Sequence, residues 1–109
     1  IRGCHSWLER EYLRLVAAAG MPVPATQQVL TRAGDHLVRV DFRFVDTPVV
    51  VEVLGYRYHR TKDQLRRDAE RMNALVADGL RPYQFAYEHI VETPDDVIAT
   101  TRAALATWR

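Results

Sequence analysis

Apolar residues recur at helical spacing through Leu8, Tyr12, Leu15, Val16 and Ala19, which predicts an amphipathic helix near the start of the chain. Ser6-Trp7-Leu8-Glu9 has the form of a capping box and marks its beginning. Gly20, followed by Pro22 and Pro24, ends it. Residues 26–30 then read as a short strand and Ala33-Gly34-Asp35 as a turn. Two longer strands follow, residues 37–44 and 49–54, joined around Asp46-Thr47-Pro48. Thr61-Lys62-Asp63-Gln64 is a second capping box, opening a helix with Leu65, Ala69, Met72, Leu75 and Val76 on one stripe and Gly79 as its stop. Residues 80–86 form a strand that should pair parallel to its predecessor, because a helix separates the two. Thr93-Pro94-Asp95-Asp96 starts a last helix through Val97, Thr101, Ala104, Leu105 and Trp108. The predicted order is helix, three strands, helix, strand, helix, without internal repeats.

The register of the central hairpin follows from arithmetic. Opposed residues of an antiparallel pair have a constant sum, and a turn centred between Asp46 and Thr47 sets it at 93. Phe44 then faces Val49, Phe42 faces Val51, and Val40 faces Val53, giving one apolar side. On the other side Asp41 stands against Glu52. Opposed β-carbons lie about 5 Å apart, so two carboxylates there repel unless a cation lies between them. An acid inside Val-Val-Val-Glu-Val-Leu breaks the pattern of a buried strand, and such breaks gather at functional sites. The plain alternative is a salt bridge from the pair to Arg39 or Arg43. The functional reading is a hard divalent ion, which binds through one or two carboxylates with water and substrate phosphate.

Composition narrows the class. The chain has 109 residues, 48% hydrophobic and 27% charged, with 15 basic and 14 acidic residues, as expected for one globular domain. No apolar run approaches the roughly 20 residues of a membrane span, and no signal peptide stands at the start. The single cysteine, Cys4, suits a reducing, cytoplasmic setting. The start at Ile1 suggests a piece of a longer chain with a further N-terminal domain. Fourteen of the basic residues are arginine and only Lys62 is lysine, which makes Lys62 the sole side-chain amine for proton transfer. Within residues 57–71, Arg57, Arg60, Lys62, Arg66, Arg67 and Arg71 outnumber Asp63, Asp68 and Glu70. Such a patch suits a phosphate backbone, with Tyr56 and Tyr58 available to stack on bases, although a solvated helical face carries similar charges, and Asp68 can pair with Arg67 or Arg71 along the helix. His5, His36 and His89 have no partner at ligand spacing.

Asp41, ten residues, then Glu52-x-x-Gly55-Tyr56-x-Tyr58-His59, with a helical Glu11 before and a helix and strand after, resembles the PD-(D/E)XK nuclease superfamily. Within it the chain is most similar to very-short-patch-repair endonucleases and related endonuclease-like proteins, over about residues 6–105. The resemblance implies an α/β, restriction-endonuclease-like αβββαβ core with a C-terminal helix, its mixed central sheet flanked by helices. It also implies a Mg²⁺-dependent endonuclease, with Mn²⁺ as a substitute, acting on DNA in repair, restriction or defence, either alone or as a homodimer. Asp41 and Glu52 would bind the metal, the Val53 carbonyl would complete the inner shell, and Glu11 would support it. Gly55, Tyr58 and His59 fall on the repair endonucleases' glycine, aromatic and histidine, so His59 would move a proton. Leu54 stands where the superfamily has its lysine. Proton transfer therefore rests on His59 or on Lys62, or else the domain has lost cleavage and kept binding. Gln84 falls where some members place an accessory polar residue.

Overall fold

The computed structural model describes residues 2–55 and 61–108, with side chains from Ser6 onward. The elements are α1 (Arg2–Ala18), β1 (Ala25–Ala33), β2 (His36–Arg43), β3 (Val49–Leu54), α2 (Lys62–Ala77), β4 (Arg81–Ala86), α3 (Tyr87–Glu92) and α4 (Pro94–Ala106). The four strands form one mixed sheet in the order β1-β2-β3-β4, antiparallel except for the β3–β4 pair. The expected order of helix, three strands, helix, strand and helix is present, with one further short helix, α3, ahead of the last.

Three details differ from expectation. The first helix begins at Arg2, ahead of Ser6, because residues 2–5 contain no proline and a lone glycine costs a helix only about 1 kcal/mol. β1 runs to Ala33 instead of ending at Leu30, since pairing with β2 extends it to a two-residue turn at Gly34, whose φ of 61° suits glycine. The six residues of α3 were not anticipated. His89 Nδ1 accepts the Ala86 amide at 2.9 Å at the start of this helix, a bond that no periodicity announces.

Both faces of the sheet are covered. On one side Leu8, Tyr12, Leu15 and Val16 of α1 pack with Phe42, Phe44, Val49, Val51, Val53 and Phe85, and with Ile90, Val97, Ala104 and Leu105 of the last two helices. On the other, Val38, Val40 and Val50 meet Leu75 of α2, together with Leu80. β3 sends valines to both sides, which is why its pattern is a continuous apolar run instead of an alternation.

One polar pair lies inside the larger core. Tyr12 and Thr101, both buried, share a hydrogen bond of 3.0 Å between their hydroxyls. Burial pushes the Tyr12 phenol well above its usual 10.0, and the bond to Thr101 offsets only part of that. The unfolded phenol ionises near pH 10 while the folded one keeps its proton. This group therefore leaves stability untouched below about pH 10 and lowers it as pH rises further. Denaturant midpoints at about pH 9 and 11 should fall more for the wild type than for Tyr12→Phe.

Candidate active site

Asp41 sits where the sheet is irregular. Along β2, Val38 and Val40 face α2 whereas Phe42 and Phe44 face α1. Residues two apart on a regular strand share a face, so the strand rotates at Asp41. Its neighbour on β1 reports the same disturbance. The β1–β2 pairs Thr26–Phe42 and Gln28–Val40 leave Gln27 beside Asp41, and Gln27 has a φ of 51°, a left-handed backbone that non-glycine residues seldom adopt. Gln27 Nε2 donates to Glu9 Oε1 at 3.0 Å, tying the kink to α1.

The expected register of the hairpin is present, with Phe42 on Val51, Arg43 on Val50, and the Phe44 amide donating to the Val49 carbonyl. The pairing stops there. In an unbroken ladder the Val53 amide would donate to the Val40 carbonyl. Instead it donates to Asp41 Oδ2 at 3.0 Å. The expected Val40–Val53 pair is not formed, because the strand rotates at Asp41 and the carboxylate takes over the released amide.

Glu52, next along β3, is only 7% exposed. It is gripped by Arg71 of α2, whose Nη1 donates to Oε1 at 2.7 Å while Nη2 reaches Oε2 and the Arg39 carbonyl. The ladder ends at Phe42–Val51, so the expected direct opposition of Asp41 and Glu52 is not among its pairs, and the cation on Glu52 is Arg71, not Arg39 or Arg43 as the salt-bridge reading expects. Arg43 donates to the Thr47 carbonyl, and Arg39 contributes its carbonyl to Arg71. The charge pattern places Arg71 with the residues for a phosphate backbone, and the structure places it on Glu52. Its position was open to detection, since it lies one helical turn before buried Leu75 and so faces the sheet.

The remaining expected residues divide by location. Glu11 is held by Arg14, whose Nε donates to it at 3.1 Å, and this contact keeps its carboxyl below the usual range. Among the described residues no three His, Cys, Asp or Glu side chains gather closely enough to hold a metal ion. Glu11 engages Arg14 on its own helix. Gln84 stands opposite Glu52 in the parallel register, with Nε2 at 3.7 Å from Met72 Sδ. Lys62, Arg66 and Arg67 are exposed on α2, and Arg66 pairs with Glu70 and Asp63. Arg57, Tyr58, His59 and Arg60 lie outside the described residues, as does Tyr56.

A groove of about 620 Å³ runs between the β1–β2 turn and α2. Arg32, His36, Arg66 and Arg67 line it with Asp35 and Glu70. A smaller hollow sharing His36, Arg67 and Glu70 continues it to Arg71.

Two carboxylates a strand apart offer hard oxygen donors of the kind Mg²⁺ takes. The donors fit such an ion in chemistry, but both oxygens of Glu52 are already engaged by a guanidinium. The overall architecture has a counterpart among solved structures. Over 92% of this chain and 94% of the other, the structure is similar to the catalytic domain of the homing endonuclease I-Bth0305I, with a TM-score of 0.71 and 17% identity. The chain has a nuclease-like fold. No protein-family model and no curated protein matches it. No described helix is long and apolar enough to cross a membrane.

Proposed function

We propose that the chain is a divalent-metal-dependent DNA endonuclease. The observation that carries this reading is the break of the β2–β3 ladder at Asp41, whose carboxylate accepts from the Val53 amide next to the buried Glu52, in a chain whose fold is similar to that of an endonuclease catalytic domain. Asp41 and Glu52 would hold the ion, with the Val53 carbonyl beside them. When bound, Mg²⁺ or Mn²⁺ would activate water and neutralise charge developing on a phosphodiester. Glu11 would act at most through water or an outer shell. His59 or Lys62 would move the proton, because Leu54 has none to move. Arg57, Arg60, Lys62, Arg66 and Arg67 would bind backbone phosphates, Arg66 and Arg67 from the wall of the groove along α2, and Tyr58 would stack on a base.

A second reading is supported by Leu54 and by Arg71 on Glu52: a DNA-binding module of the same fold that no longer cleaves. One assay separates them. Supercoiled plasmid and single-stranded circles are incubated with the protein in Mg²⁺, Mn²⁺ or EDTA. The endonuclease reading expects nicking with metal and none with EDTA. DNA binding at low salt without cleavage under any condition would favour the binding module.

A further inference from the structure

The contact between Arg71 and Glu52 bears on how an ion would enter. Arg71 uses its fork on both oxygens of Glu52 and anchors the same guanidinium to the Arg39 carbonyl. Glu52 is nearly closed to water and Arg71 is part-buried, with side chains 10% and 26% exposed. An arginine fork is a strong, geometrically specific partner for a carboxylate, and it cannot be neutralised by losing a proton. A divalent ion held by Asp41 and Glu52 would therefore have to compete with a fixed positive charge already on the Glu52 carboxylate.

We propose that Arg71 is the resident counter-cation of Glu52 and that a divalent ion loads onto Glu52 by exchange with it. In the metal-free protein Glu52 belongs to α2. In the loaded protein it belongs to the ion, and Arg71 is released toward the groove that it borders. Arg71 is thus a positioning residue whose hold on Glu52 sets metal affinity. The inference rests on the metal reading of the pair given above.

The test is binding, without DNA. Mn²⁺ affinity is measured by titration calorimetry and by the free-ion resonance signal for the wild type, Arg71→Ala, Arg71→Met and Arg71→Lys. Removing a cation beside the ion should tighten binding about tenfold or more in the Ala and Met variants, with Lys close to wild type. Asp41→Asn should abolish binding in every background. Should both uncharged variants unfold, the wild type still decides. The Arg71 Nε–Hε resonance should shift on titration with Mg²⁺, together with the Val53 amide that reports on Asp41. Equal or weaker binding in the uncharged variants, or an Arg71 resonance unmoved while the Val53 amide saturates, would overturn the exchange alone. No Mn²⁺ binding by any form, or binding that survives Asp41→Asn, would overturn the metal reading and the exchange with it.

Discussion

Asp41→Asn is expected to leave the protein folded while removing its metal-dependent nicking of plasmid. The Asp41 carboxylate has two separable tasks. As a hydrogen-bond acceptor it satisfies the Val53 amide at 3.0 Å, and an asparagine carbonyl oxygen can do the same. On the proposed metal reading it would also offer, as a charge, an anionic ligand to a hard cation, which an amide does much less well. Stability should therefore change by no more than about 1 kcal/mol, the size of one exchanged hydrogen bond. The loss of metal-derived stabilisation is worth several kcal/mol, or about 10³-fold in rate at 1.4 kcal/mol per decade. Nicking rates and thermal midpoints measured on the same preparation decide it. Nicking at the wild-type rate by a folded Asp41→Asn protein would show that the carboxylate has no part in cleavage.

Arg71→Ala should be strongly destabilising although it removes no core side chain. Glu52 is buried and its carboxylate is neutralised by this guanidinium. Removing one member of a buried pair leaves the other charge uncompensated, at a cost of about 3 kcal/mol. A domain of this size loses roughly 4–8 °C in thermal midpoint per kcal/mol, so the drop should be large but survivable within the usual 5–15 kcal/mol of total stability. The cause can be isolated with a second substitution. Glu52→Gln in the Arg71→Ala chain removes the stranded charge and should recover most of the loss, leaving a strong coupling in the double-mutant cycle. Additive losses from the two changes would mean that Arg71 stabilises α2 through its apolar stem instead.

The sequence was most informative where geometry is set by local rules. The arithmetic of the Asp46–Thr47 turn places Phe42 on Val51, as observed, and the unexpected acid in β3 marks Glu52 as the residue to follow. The parallel β3–β4 pair follows from the intervening helix. What stayed hidden depends on distant contacts. A constant sum assumes a regular ladder, so it cannot show that β2 rotates between Val40 and Phe42 or that the Asp41 side chain replaces a backbone carbonyl. Charge patterning along α2 makes Arg71 one more basic residue of a run, and only its place one turn before Leu75 distinguishes it. Glu11 was favoured by its position on the first helix, yet a neighbouring arginine three residues away takes its charge first.

The disturbance around Gln27 has a further consequence at the level of association. β1 is an edge of the sheet, and a straight edge presents a row of unpaired amides and carbonyls on which a second chain can build. Here that row is interrupted twice, by the left-handed backbone at Gln27 and by the register shift between Val29 and Thr31. The irregularity that gives Asp41 its setting also denies a neighbouring strand a continuous template, so one local departure from ideal geometry both shapes the site and guards against edge-to-edge aggregation.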